Sequence, residues 1–249
     1  MPACAAAAAL AAMRDATAGP ELVQLLGSSN PDARVAAAYA LGEIGGRFED
    51  VLVERISDAC PLVRMAACTA LGKLAAKAGP ETAVIHKVTE CFEDMNPNVR
   101  VAALDALALM GEDIAEYADQ IYDLFMDRSL PVKASALKAM AAAGAKGECY
   151  AAHVCRLAYD ESPVLRCAAI ETLAEMGERG ASFADEVAEM IYDKDDSVRL
   201  AALRSLAKMG DAAKPFVHMM AIARDDYCAA VREAAEAAIS ALTMNAIAE

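Results

Sequence analysis

Apolar positions along the chain recur at helical spacing, and the phrase that carries them returns. NPNVRVAALDALALMG (96–111), SPVLRCAAIETLAEMG (162–177) and DSVRLAALRSLAKMG (196–210) are near copies of one another. Indexed on its basic residue, the phrase falls at Arg34, Arg64, Arg100, Lys133, Arg166, Arg199 and Arg232, at intervals of 30, 36, 33, 33, 33 and 33. A steady period over nearly the whole chain marks a repeat architecture. In each copy the basic residue opens a predicted helix, here helix B. Small residues follow at plus two and plus three, as in Ala36 and Ala37, Ala66 and Ala67, Ala102 and Ala103, or Ala201 and Ala202. A larger apolar residue stands at plus seven: Leu41, Leu71, Leu107, Met140, Leu173, Leu206 and Ile239. This spacing describes one face of an α-helix. Gly45, Gly111, Gly144, Gly177 and Gly210 stand at plus eleven, where a helix end favours a residue free to turn left-handed.

A second predicted helix, helix A, lies upstream of each helix B. Its apolar residues fall twelve and eight before the basic residue, as in Val88 with Phe92, Ile121 with Phe125, and Val187 with Ile191. Sixteen before it stands an aromatic in five copies: Phe48, Tyr117, Tyr150, Phe183 and Phe216. Each helix has one apolar stripe that it cannot bury alone. Stacking the pairs side by side buries all the stripes in one continuous core.

Six before the basic residue stands an aspartate: Asp58, Asp94, Asp127, Asp160, Asp193 and Asp226, with Ser28 in the first copy. Helix electrostatics disfavours an acid at the end of helix A and a base at the start of helix B. A local violation repeated this often points to compensating partners. The Asp is expected to accept the free N–H groups that open helix B. The basic residues Arg64, Arg100, Lys133, Arg166, Arg199 and Arg232 are expected to reach the Asp of their own or the next copy, forming a charge-assisted ladder along the stack. Copies in a row serve a scaffold better than they serve one reaction.

Two helices per unit, an Asp near the end of the first, and Val-Arg opening a small-residue second helix resemble HEAT repeats. The short form VRxAAxxAL is similar to the repeats of phycobilin lyase subunits and of many interaction scaffolds. The resemblance implies an all-α fold, a right-handed α-solenoid of about seven two-helix HEAT-like repeats of ~33 residues. The expected organisation is a single solenoid over 1–249, with an N-terminal capping helix over 1–18. Its repeats fall at approximately 19–46, 47–78, 79–112, 113–145, 146–178, 179–211 and 212–244. The copy around Lys133 departs most, and the last has Thr243 where its closing Gly would stand, as suits a terminal cap.

Composition narrows the function classes. The net charge is −14 and the pI near 4.7, which argues against a nucleic-acid groove and against an anionic membrane surface. The alanine-rich start has no basic residues before its apolar run and is too short to span a bilayer. Eight cysteines are scattered with no C-x-x-C pair, which reads as small buried hydrophobes in a reducing, intracellular compartment, cytoplasm or organelle interior. His86, His153 and His218 recur two repeats apart, too far to share a metal ion, and read as boundary or surface residues. Deoxyhypusine hydroxylase, an enzyme of this architecture, binds iron through His-Glu pairs; this chain has no His-Glu dipeptide. It also has no P-loop, no G-x-S-x-G and no G-x-G-x-x-G. No catalytic, cofactor-binding or metal-ligating residue is therefore assigned, and no cofactor is expected.

What remains is surface. The resemblance implies that helix B lines a concave face, with its residues at plus five and plus nine pointing inward. These are Tyr39 and Glu43, Thr69 and Lys73, Asp105 and Leu109, Lys138 and Ala142, Glu171 and Glu175, and Arg204 and Lys208. A groove of mixed sign suits a protein surface or peptide better than a polyanion. On the opposite face Met126, Tyr159 and Tyr192, seven before the basic residue, form a second candidate row. The expected function is a non-catalytic protein–protein interaction scaffold, an accessory or assembly subunit that docks on a larger multisubunit complex. The alternative is a bilin-lyase-like enzyme or a chaperone for a pigment or cofactor.

Overall fold

The computed structural model of the protein describes residues 18–244. The N-terminal helix expected over 1–18 lies, but for its last residue, outside the described residues. The described residues form two compact units that divide between Ala143 and Gly144. Both are built from helices, with no strand among the described residues. The first runs α1 (Gly19–Leu26), α2 (Pro31–Ile44), α3 (Glu49–Arg55), α4 (Pro61–Ala78), α5 (Thr82–Thr89), α6 (Pro97–Ala108), α7 (Ala118–Asp123) and α8 (Leu130–Ala142). The second runs α9 (Gly144–Glu148), α10 (Ala151–Leu157), α11 (Pro163–Glu175), α12 (Gly177–Ala181), α13 (Ala184–Glu189), α14 (Asp196–Met209), α15 (Val217–Ile222) and α16 (Ala229–Met244).

Helix B is α2, α4, α6 and α8 in the first unit and α11, α14 and α16 in the second. Its start is written in the sequence. Pro31, Pro61, Pro97 and Pro163 occupy the first helical position, where the missing N–H costs nothing. Asn30, Asn96 and Asp195 cap their helices by accepting the N–H of Asp32, Asn98 and Ser197 at 2.9, 2.9 and 3.0 Å. Neighbouring B helices then bury their facing flanks. In the first unit α2 packs on α4, α4 on α6 and α6 on α8; in the second α11 packs on α14 and α14 on α16. Leu41, Leu71, Leu107, Met140, Leu173 and Leu206 are wholly buried. Each such side chain contributes about 1.5–3 kcal/mol relative to exposure.

Helix A packs on the helix B that follows it: α3 on α4, α5 on α6, α7 on α8, α10 on α11, α13 on α14 and α15 on α16. These helices are shorter than the sequence period alone would suggest. Most begin just after the recurrent aromatic, which takes the N-cap position as Phe48, Tyr117, Tyr150, Phe183 or Phe216. Several end in a tighter helical turn, as at Glu90–Glu93, Leu124–Met126 and Met190–Tyr192. Helical turns also fill the links after helix B, at Gly111–Tyr117, α9, α12 and Gly210–Phe216. The sequence reading placed only a glycine there. The short link 45–48 after α2 carries no helical turn, and α4 instead runs on past Ala75 to Ala78. Its extra turn brings the Lys77 ammonium to the end of α2, where it donates to the carbonyls of Gly42 and Glu43 at 2.9 Å each.

Two glycines inside helix B set the closest approach between neighbours. A Cβ on Gly42 would stand 2.8 Å from Ala70 Cα, and one on Gly72 would stand 2.7 Å from Ala106 Cα. The last helix differs on its outer side. Ala38, Cys68, Leu104, Leu137, Ile170 and Leu203, four past each basic residue, are wholly buried. In α16 that position is Glu236, exposed and ion-paired with Arg224 at 3.0 Å. Thus α16 turns a polar face where the earlier helices turn an apolar one.

Candidate functional site

The repeated acid and base are joined by one recurrent geometry. In the first unit Arg34 bonds Asp58, Arg64 bonds Asp94 and Arg100 bonds Asp127; in the second Arg166 bonds Asp193 and Arg199 bonds Asp226. Each guanidinium donates through Nε and Nη2 to the two oxygens of one carboxylate, at 2.6–3.0 Å. Such two-pronged charged bonds are both stronger and more directional than single neutral ones. The partner is the Asp of the following repeat. Toward its own repeat each arginine turns Nη1, which donates to the carbonyl six residues back: Ser28, Asp58, Asp94, Asp160, Asp193 or Asp226. The carboxylate completes the joint by accepting the N–H two residues on. In this way Asp58 holds Cys60, Asp94 holds Asn96, Asp127 holds Ser129, Asp160 holds Ser162, Asp193 holds Asp195 and Asp226 holds Cys228, at 2.7–2.9 Å. That N–H belongs to the residue capping helix B, one step before the helix itself. Ser28 takes the same bond with its hydroxyl, from Asn30 at 3.2 Å. Lys133 has no planar fork with which to grip one carboxylate at two points. Its charge helps instead to hold the Asp127 carboxyl low.

On the B-helix face of the first unit lies a groove of about 270 Å³, lined by Tyr39, Met65, Thr69, Asn98, Val101, Ala102, Asp105, Ala106 and Leu109. Tyr39, Thr69, Asp105 and Leu109 come from the row singled out in the sequence. Glu43 and Lys73 instead pair with each other across neighbouring helices, and Lys138 is exposed outside the groove. Met65, Val101 and Asn98 were missed. Met65 and Val101 share a signal, an apolar residue one past the arginine that points away from both packing flanks. Leu109 is 51 % exposed, high for a leucine beside other apolar side chains. The second unit has a groove of about 490 Å³ between α14 and α16, floored by alanines and edged by Arg204 and Glu233. There Lys208 pairs with Glu175, and Glu171 is exposed outside the groove.

Comparison with known proteins agrees with this layout. The profile of HEAT repeats matches residues 151–240, that of the HEAT repeat matches 19–47 and 50–78, and that of the PBS lyase HEAT-like repeat matches 2–28. The chain belongs to the HEAT-repeat family. No curated protein is significantly similar to it in sequence. Among solved structures, an engineered protein is 18% identical with a TM-score of 0.60, over 95% of this chain and 71% of that one. The complex of CpcE and CpcF of phycocyanin lyase from Nostoc is 17% identical with a TM-score of 0.56, over 90% and 94%. Escherichia coli YibA is 19% identical with a TM-score of 0.55, over 90% and 92%. At these identities the likeness shows the fold, an all-α HEAT-repeat solenoid.

Other residues singled out in the sequence fall outside these two grooves, and Tyr192 lines a third, of about 430 Å³, with Ile222 and Tyr227. In this HEAT-repeat chain His86 and His218 are exposed, and His153 stacks at a tilt against Tyr150 with centroids 5.9 Å apart. No group of three or more potential metal ligands occurs among the described residues. No helix among them is long and apolar enough to cross a membrane. Met126, Tyr159 and Tyr192 are exposed, and the Tyr159 hydroxyl donates to Glu189 at 2.9 Å. Partial desolvation of the hydroxyl and that carboxylate push the Tyr159 phenol up. Burial also pushes the Cys155 thiol up to about 11, leaving it inert at neutral pH.

The HEAT-repeat joints carry a pH signature. At Asp58, Asp94 and Asp127 burial pushes the carboxyl up, but the arginine, the capping N–H and nearby positive charge outweigh it and hold the group below the usual range. At Asp226 the Arg199 bond itself is the leading cause of the same lowering. A carboxyl depressed in the folded state binds fewer protons there than in the unfolded chain. Its stabilisation is complete above the unfolded value, about 4, and is lost as pH falls through the depressed one. Thermal melting is therefore expected to be flat from pH 6 to 5 and to move to lower temperature between pH 4 and 2. Equal midpoints at pH 6 and 2.5 would contradict this role for the joints.

Proposed function

We propose that the protein is a non-catalytic interaction scaffold, and that the groove of the first unit holds a segment of a protein partner in a larger complex. The observation that carries this reading is the half-exposed Leu109, which lines one groove with Tyr39, Met65, Val101 and Asp105. Part-exposed aromatic and apolar side chains around one carboxylate are the anatomy of an interface centre. Asp105 makes no ion pair among the described residues, so a lysine or arginine beside the partner's apolar anchor would find a counter-charge there. Within the same unit Glu43, Lys73 and Lys138 would form a charged rim that sets orientation more than affinity.

The test begins with the chain in its native assembly. Cross-linking and mass spectrometry identify the partner and the face it touches. Affinity is then measured for Tyr39→Ala, Asp105→Asn and Leu109→Ala combined. A loss of about tenfold or more is expected, with helical content and melting unchanged. Undiminished affinity, or cross-links confined to the Tyr159 and Tyr192 side, would refute the groove. The likeness to a phycocyanin lyase complex is a likeness of repeat fold and assigns no residue here to bilin chemistry.

A further inference from the structure

Cys68 lies on α4 in the stripe that helix B turns toward the next repeat. Cys91 lies in the tight turn Glu90–Glu93 that ends helix A of that next repeat. The two are 23 residues apart, so no local motif announces them. Both are buried, and the Cys68 thiol donates to Cys91 Sγ at 3.6 Å, with the sulfurs in van der Waals contact. Other described thiols meet different groups, Cys149 the Arg179 guanidinium and Cys167 the Ser197 hydroxyl. A disulfide closes at about 2.05 Å. The sulfurs must therefore close by about 1.5 Å, a movement within reach of side-chain rotation in a short terminal turn.

We propose that Cys68 and Cys91 are a redox-active dithiol, which exchange with a small-molecule disulfide such as oxidised glutathione converts to an intramolecular bond clamping α4 to the Glu90–Glu93 turn. Cys91 is the attacking sulfur. It retains slight exposure where Cys68 has none, and it lies in a short turn whose local opening admits the reagent. The Cys68 S–H bond holds the Cys91 thiol below its usual range against the effect of burial, and the same bond with burial holds Cys68 well above. The Cys91 thiolate attacks one sulfur of oxidised glutathione, forming a mixed disulfide and expelling one glutathione thiolate. Cys68 then loses its proton to solvent and attacks the Cys91 sulfur, expelling the second thiolate. The dithiol is oxidised by two electrons and one glutathione disulfide is reduced to two thiols. The new bond would span the same two repeats as the Arg64–Asp94 joint, three residues along from Cys91.

The full chain is equilibrated in graded mixtures of reduced and oxidised glutathione, acid-quenched, denatured, alkylated and weighed. Eight thiols alkylate in the reduced chain. Two fewer are expected after oxidation, with a digest peptide joining Cys68 to Cys91 that dithiothreitol cleaves. A chain that keeps every thiol, or that cross-links other cysteines instead, overturns the proposal. Amide exchange at residues 90–93 is expected to slow about tenfold on oxidation, since the bond closes the opening route. Unchanged exchange beside a formed bond overturns the clamp. The wild-type chain carries both readouts. Cys68→Ala is a supporting variant, expected to abolish the linked peptide.

Discussion

Asp193→Ala is expected to lower the stability of the second unit by about 3 kcal/mol. Arg166 is 5% exposed and points its fork at this one carboxylate, at 2.8 and 2.7 Å. Removing the acid strands a buried charge and frees the N–H of Asp195, which the same carboxylate holds at 2.8 Å. A stranded buried charge costs far more than the pair contributes, because nothing replaces the water it lost. Asp193→Asn keeps an acceptor for the N–H while removing the charge, and should fall about midway. Glu175→Gln is the control. It breaks the Lys208 pair, whose partners are 51% and 55% exposed, and should cost below about 0.5 kcal/mol. Denaturant unfolding, with hydrogen exchange along α11 and α14, measures all three. An Asp193→Ala loss no greater than that of the control would reduce the row to surface decoration.

Gly72→Leu is expected to destabilise the first unit by about 3 kcal/mol, and Gly72→Ala by about 1 kcal/mol. Two effects oppose each other at this site. Replacing glycine within a helix gains up to about 1 kcal/mol in propensity. Against that, a Cβ here stands 2.7 Å from Ala106 Cα, 2.9 Å from its Cβ and 3.2 Å from its carbonyl oxygen. These atoms are backbone or rigidly attached to it, so α4 and α6 must move apart as bodies. Overpacking of this kind typically costs 1–3 kcal/mol, which outweighs the propensity gain. The separation would also spread Met65 and Thr69 away from Val101 and Asp105 across the groove. Loss of partner affinity alongside the stability loss is therefore expected. A Gly72→Ala chain more stable than wild type would show that the helices have slack.

The B helices were legible because three signals coincide at most starts: a proline or capping residue, the basic residue, and small side chains at fixed offsets. Helix A was less legible. Its apolar pair and its aromatic are visible, but tight turns at its end leave no compositional mark. The ladder's members were readable from their spacing, while the direction of the bond, forward to the next repeat, depends on how the stack places Arg100 against Asp127 rather than on sequence distance. For the groove, plus five supplied Tyr39, Thr69 and Asp105, but Met65 and Val101 came from plus one, a position the repeat pattern did not single out. Cys68 and Cys91 could not be paired by eye. Their contact exists only after two repeats are stacked.

The joint has a consequence for how such a chain can change length. A segment running from one aspartate to the residue before the next carries a receptor at its front and a donor behind. Copying it in frame reproduces both, so growth by whole repeats leaves no side chain stranded. Smaller changes must avoid the joint, and the two irregular intervals show where they go. The interval of 36 between Arg64 and Arg100 contains the prolonged α4, while the interval of 30 between Arg34 and Arg64 passes to α3 by the short link Gly45–Phe48. Each departs from 33 by three residues, close to one turn of helix. Length is gained and lost here in turns, on the side of the repeat away from the arginine.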